Sequence, residues 1–207
     1  METTVKLFVF PALIAAVLLS PIYGAQSSPA PAPQTANTPK NEAPQQDPAT
    51  QPLSARVPPA KPADVNSIDS ILAAVYNVIS GPAGERDWNR FRSLFIPSAR
   101  LTSAQKNKDG SFFLEDVEGY AQGAGSYFKT HGFFENSIVN RVEKFGNVAQ
   151  VFSSYESRTA PNEKPFARGV NSIQLFYDGT RWWVVSILWD EETSANPLPP
   201  QLAAPPK

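Results

Sequence analysis

The chain contains no cysteine. That excludes disulfides, thiolate metal ligation and lipid modification of an N-terminal cysteine, so any folded part must be held together by its core alone. There is a single histidine, His131. One histidine without cysteine does not make a zinc constellation, and the acidic residues lack calcium-loop spacing. No glycine-rich phosphate loop or nucleophile elbow occurs. Neither charge sign dominates, with 18 Lys and Arg against 19 Asp and Glu, so the basic footprint required by a nucleic-acid partner is missing. No metal, cofactor or nucleic acid is expected.

Proline, by contrast, is abundant, at 21 residues, and it is concentrated outside one central stretch. At the N-terminus, Lys6 precedes an apolar run over residues 7–19 that only Pro11 interrupts. This run falls short of the roughly 20 apolar residues of a membrane span. A charged start before a short apolar core is the pattern of a secretory signal, here residues 1–25. Pro21 breaks the segment, and Gly24-Ala25 offers small residues for cleavage, with Tyr23 or Ile22 poorly placed beside it. The expected location is periplasmic or secreted; an uncleaved segment would instead anchor the chain in the membrane. Residues 26–63 are rich in Pro, Ala, Gln, Ser and Thr, too poor in apolar side chains to offset ordering entropy, and read as a disordered, semi-stiff linker. Residues 193–207 repeat this character as a tail. Residues 64–192 remain as one domain of ordinary size.

Within the domain, Ile68, Leu72, Val75 and Ile79 recur at helical spacing, with Asn66 or Ser67 as cap and Gly81-Pro82 as stop. Trp88, Phe91 and Phe95 mark a second helix, starting near Glu85 and ended by Pro97. Ala99, Leu101 and Ser103 alternate as a strand. A turn follows over residues 106–110, and Phe112 and Leu114 begin the return. Residues 115–129 read as a third helix despite Gly119, Gly123 and Gly125, each of which weakens it by up to ~1 kcal/mol relative to Ala. Four strands follow over 137–145, 148–158, 166–176 and 181–190, with Gly146-Asn147 and Asp178-Gly179 as hairpin turns. Helices followed by an antiparallel meander form an α+β arrangement.

The stretches DWNRFRSLF, GFFENSIVNRVEKFGNVAQVFSSYES and GVNSIQLFYDGTRWWVVSILW resemble the NTF2-like superfamily, which includes SnoaL-like cyclases and ketosteroid isomerase. The resemblance covers most of residues 64–192. It implies a cone: a curved antiparallel sheet with about three N-terminal helical elements closing a pocket, often dimeric through the sheet. It implies no single activity.

Two-residue turns at Gly146-Asn147 and Asp178-Gly179 would pair Asn140 with Ser153, Ser153 with Asn171, and Asn171 with Ser186. One face then collects Ile138, Asn140, Val142, Val151, Ser153, Tyr155, Asn171, Ile173, Leu175, Trp182, Val184 and Ser186. This apolar bowl is crossed by one polar row of Asn140, Ser153, Asn171 and Ser186, as a site for a small neutral ligand requires; equally, these short side chains could satisfy one another beneath the helices. Tyr155 and Trp182 complete the candidate pocket. The row holds no titratable group, and Leu188 on the same face is apolar, which weighs against proton-transfer chemistry. His131 is the weak catalytic candidate, in a Thr-His-Gly setting typical of an exposed turn. The opposite face, with Val139, Phe152, Val170, Trp183, Val185 and Ile187 among its charges, is an expected homodimer seam. The leading expectation is an exported module that binds a small ligand without transforming it. The alternatives are an isomerase, cyclase or dehydratase, and a tethered interaction domain whose bowl is filled by its own side chains.

Overall fold

The computed structural model describes residues 51–107 and 109–203. The expected signal, most of the expected linker and the last four residues lie outside the described residues. A 3-10 turn (Leu53–Ala55) and the short α1 (Pro62–Val65) lead into α2 (Ile68–Ile79). Ser67 caps α2, its hydroxyl accepting from the Ser70 N–H at 3.0 Å, as Ser and Thr do at such ends. The folded part reaches slightly before residue 64: Val65 is buried, and Ala60 packs against the core.

The second helix, α3 (Trp88–Ser93), is shorter than its aromatic stripe suggests. Asp87 caps it, accepting from the Arg90 N–H at 2.9 Å. Phe95 and Pro97 already belong to β1 (Phe95–Lys106). Pro97 is tolerated there because the ladder to the neighbouring strand is irregular between Phe95 and Arg100, where a missing N–H breaks no regular pair. Next come β2 (Phe112–Asp116) and α4 (Val117–Phe128), the latter capped by Asp116. The chain continues through β3 (Phe134–Phe145), β4 (Val148–Arg158), β5 (Ala167–Tyr177), β6 (Trp182–Glu191) and α5 (Pro200–Ala203).

The strands form one curved, open sheet in the order β2-β1-β6-β5-β4-β3. The meander from β3 to β6 is antiparallel, as expected. The sheet as a whole is mixed, because β1 runs parallel to β6. Helices α2, α3 and α4 contribute to a core with the inner face of the sheet, drawing on Ile71, Leu72, Phe91, Phe128, Val151, Ile173, Leu175 and Val184. This is the cone-like α+β architecture implied by the resemblance.

The first hairpin has the expected register, with Phe145 opposite Val148, Val142 opposite Val151 and Asn140 opposite Ser153. Gly146 occupies the left-handed region, φ +55°, where glycine carries no Cβ penalty. The last hairpin departs from expectation. Asp178 accepts from the Thr180 and Arg181 N–H groups at 2.8 and 2.9 Å and from Trp183 Nε1 at 2.7 Å. These bonds make a four-residue loop between Tyr177 and Trp182 in place of a two-residue turn. Burial alone would raise the Asp178 pKa, but its donors outweigh burial and hold it at about 2.

The segment after β6 also differs from the expected loose tail. α5 packs against β3 and β4 with Leu202 buried, and the outward-facing Val139 and Ser154 are buried as well. Trp183, counted in the proposed dimer seam, is fully buried and lies 3.6 Å from the Arg181 guanidinium.

Arg86 holds the turn after α2 together. Its guanidinium donates to the carbonyls of Ile79, Gly81, Pro82 and Gly84 at 2.8–3.0 Å, serving groups that a helix end leaves unpaired. Arg86→Ala is expected to lower unfolding free energy by ~2–3 kcal/mol in urea titration. In α4, a Cβ at Gly125 would come within 3.2 Å of the Trp88 ring, whereas one at Gly123 would meet nothing within 4 Å. Gly123→Ala should therefore raise stability by up to ~1 kcal/mol, and Gly125→Ala should not; paired thermal melts separate the two.

Candidate functional site

Two one-residue irregularities decide what faces the interior of the cone. In β3, Ser137 pairs with Tyr155 but Val139 pairs with Ser154, leaving Ile138 as the extra residue. The Val139 N–H is taken by the Ser154 hydroxyl at 3.1 Å. In β6, Val184 pairs with Leu175 but Ser186 pairs with Gln174, leaving Val185 extra. Each bulge reverses the alternation beyond it. Ile187, Trp189 and Glu191 therefore point inward, together with Ser137 and Glu135.

This corrects three expectations. Ser186 lies opposite Gln174 and not in the polar row; its place beside Asn171 is taken by Trp189. Leu188 faces outward and is exposed. A titratable group does enter the cone: Glu135, opposite Ser157, in a strand that begins three residues before its expected start.

The remaining row forms a single directed hydrogen-bond chain. Asn171 Nδ2 donates to the Tyr76 hydroxyl at 3.1 Å, and Tyr76 lies 2.5 Å from Ser153 Oγ. Ser153 donates in turn to Asn140 Oδ1 at 2.6 Å, so the proton between Tyr76 and Ser153 comes from Tyr76. Tyr76 descends from α2 and closes the row, whose short side chains are thereby satisfied. Trp182 is buried core, packed on Tyr177 with ring centroids 5.3 Å apart. His131 lies at the exposed end of α4. It stacks on Tyr127 at 4.2 Å and its Nδ1 contacts Thr130 Oγ1 and the Tyr127 carbonyl.

Further along the inner face the polar groups are not satisfied in this way. Ser157 donates to Glu135 Oε2 at 2.8 Å. Glu135 is enclosed by protein yet keeps part of its surface open to water, and Tyr120 does the same. Burial pushes the Glu135 pKa up to about 7; Ser157 and Asn171 oppose the shift and the Glu191 charge adds to it. Burial also raises Glu191, with Asp190 contributing. Tyr155 is only 4% exposed, and its hydroxyl has no hydrogen-bond partner among the described residues. Fully buried polar atoms there all have partners, so the Tyr155 oxygen must itself touch solvent. Gly169 makes room for it: a Cβ at this position would lie 2.8 Å from that oxygen. Phe113 completes an aromatic corner, with ring centroids 5.6 Å from Trp189 and 6.4 Å from Tyr120.

Two cavities, of about 290 and 310 Å³, lie outside the cone, one at the turn after α2 and one between α3 and α4. Their arginines are already engaged: Arg86 with carbonyls, Arg90 with Asp64 and Asn77, and Arg92 with Glu118. The chemistry available to a ligand is therefore richer at Glu135. Among the described residues no group of three or more His, Asp or Glu could hold a metal ion, and no helix is long and apolar enough to cross a membrane.

Glu135 sets a pH dependence with a definite sign. Its pKa in the fold, about 7, lies above the ordinary value of 4.5, so the native state retains a proton that the unfolded chain releases. Stability therefore falls as pH rises from about 4.5 through 7, by roughly 1–3 kcal/mol. Glu135→Gln should remove that fall, with little effect at pH about 4. Denaturant titrations across the range check it; an unchanged pH slope in the variant would refute it.

No protein-family model matches the chain, and no curated protein matches it. Several solved structures are similar. A protein of unknown function from Mycobacterium tuberculosis is 13% identical with a TM-score of 0.49, covering 67% of this chain and 78% of its own. A cystatin-like-fold protein of unknown function from Nostoc punctiforme is 13% identical with a TM-score of 0.48, covering 61% and 90%. An NTF2-like protein of unknown function from Shewanella baltica is 14% identical with a TM-score of 0.44, covering 61% and 92%. None of these likenesses assigns chemistry to this chain. The order of its elements and the closure of its curved sheet by three helical elements are those that the resemblance to NTF2-like proteins implies.

Proposed function

We propose that the domain is an exported module that binds a small molecule in the part of the cone lined by Glu135, Tyr155, Tyr120 and Trp189. The observation that carries this reading is the Tyr155 hydroxyl, which belongs to a nearly buried residue, reaches solvent and has no partner among the described residues. A hydroxyl that reaches solvent from a nearly buried ring is open to hydrogen-bond with water or with a ligand that takes the water's place. Convergent polar groups on an aromatic wall are the usual composition of a ligand site. The polar row beside it is closed by Tyr76 and serves as the wall of the site, not its floor.

A second reading has one observation in its favour. A carboxyl that titrates at about 7 and can be reached by water suits general acid–base catalysis. In that case Glu135 would move the proton and the Tyr155 phenol would donate to a developing oxyanion, as an isomerase, cyclase or dehydratase requires. Export rests on the signal pattern alone. A homodimer through the outer face is proposed on the exposure of Phe145, Val148 and Phe152.

Native mass spectrometry of protein purified from its own host envelope tests the binding reading and reports the mature N-terminus and oligomeric state together. A non-covalent adduct is expected, weakened in both Glu135→Gln and Tyr155→Phe. Its absence, or its persistence at full strength in both variants, would overturn the reading.

A further inference from the structure

The unsatisfied end of the cone has an unusual charge balance. Each titratable group facing Glu135 is an acid or a phenol: Tyr76 from α2, Tyr120 from α4, Tyr155 from β4 and Glu191 from β6. Glu135 and Glu191 have no ion-pair partner among the described residues, whereas the arginines of the same strands are engaged elsewhere. Arg158 pairs with Glu156 at 2.5 Å, and Arg168 with Glu192 at 3.3 Å. This end of the inner face thus carries two carboxyl groups and a phenol oxygen without a partner, and no side-chain cation is paired with them among the described residues. Independently of the carboxyl groups, the Tyr155 hydroxyl, on a residue 4% exposed, meets solvent without a partner among the described residues, beside Gly169, which pairs with Glu191. Beside them stands the aromatic corner of Phe113, Tyr120 and Trp189.

Two carboxyl groups with no cation beside them, and a phenol oxygen that can accept as well as donate, suit a ligand that carries N–H groups and positive charge. Aromatic faces attract the same charge through their quadrupoles and also cover an apolar body. A neutral ligand gains nothing from ionising the two carboxyl groups, a cation favours their charged form, and an anion meets repulsion from it. Resting on the ligand-binding reading above, we infer that the site takes a small organic amine as its cation. Its ammonium group lies against Glu135 and the Tyr155 hydroxyl, Glu191 supplies a second negative charge, and its carbon body packs on Phe113, Tyr120 and Trp189.

Three probes that share one ring and differ in charge test this: 2-phenylethylamine, 2-phenylethanol and phenylacetate. Each is titrated into the purified full chain by calorimetry, with circular dichroism confirming the fold of every variant. The amine is expected to bind about tenfold or more tightly than the alcohol, a factor that corresponds to ~1.4 kcal/mol, and phenylacetate is expected not to bind. Glu135→Gln should reduce the preference for the amine over the alcohol to within about threefold. Glu143→Gln, at an exposed residue of the outer face of β3, should leave it unchanged; this control separates the local carboxylate from overall charge. Equal binding of amine and alcohol, or a preference that survives Glu135→Gln, overturns the amine assignment while leaving a ligand site in place. If no probe binds to folded protein but the host-derived adduct is present, the amine assignment fails and the binding reading stands. If probe binding and adduct are both missing, both fail.

Discussion

Two extra backbone residues, Ile138 and Val185, determine the inside of this protein. A strand alternates its side chains with a period of two, so inserting one residue exchanges the faces of everything beyond it. Without the first bulge, Glu135 would lie on the outer face; without the second, Glu191 and Trp189 would. Both bulges are built into the structure. The ladder bond broken at Ile138 is replaced by the buried Ser154 hydroxyl on the Val139 N–H, and Ser154 is itself covered where α5 packs on the sheet. The charge of the cone interior therefore depends on packing at its outer surface.

Tyr76 divides that interior into two electrostatic regions. On one side its hydroxyl completes a chain from Asn171 to Asn140 in which each donor has an acceptor. On the other, Tyr155 and the two carboxylates face one another with few donors. In a medium of low effective dielectric the first arrangement rigidifies, while in the second burial lifts the Glu135 carboxyl to about 7 and the Glu191 charge adds to the shift. A partner that brings positive charge or donors favours the ionised carboxyl that burial disfavours, and that is the physical content of the proposed site.

Stability without disulfides rests on a few polar fastenings around a large aromatic core. Arg86 gathers four carbonyls behind α2, Asp178 gathers the last hairpin, and Arg181 bridges from that hairpin to the Ser93 carbonyl at 2.6 Å. Each joins segments distant in sequence or closes a loop that would otherwise expose backbone groups.

Much of the fold was legible in the sequence because it is encoded locally. The 3.6-residue recurrence of Ile68, Leu72, Val75 and Ile79 specifies α2, and Gly146-Asn147 pins the β3–β4 register through to Asn140 and Ser153. The limits of local encoding appear where a side chain competes with a turn rule. Asp178-Gly179 reads as a two-residue hairpin, yet the donors collected by Asp178 lengthen it to four. The end of α3 and the parallel pairing of β1 with β6 were likewise invisible, since both depend on contacts between residues some ninety positions apart. The sequence by itself determined the α+β order, the apolar bowl and three members of its polar row: Asn140, Ser153 and Asn171. Only the tertiary structure decided that Tyr76 closes that row and that Glu135, with Glu191, enters the cone. A bulge has no fixed residue signature, and which strand residue is left unpaired is set by how whole strands pair across the sheet.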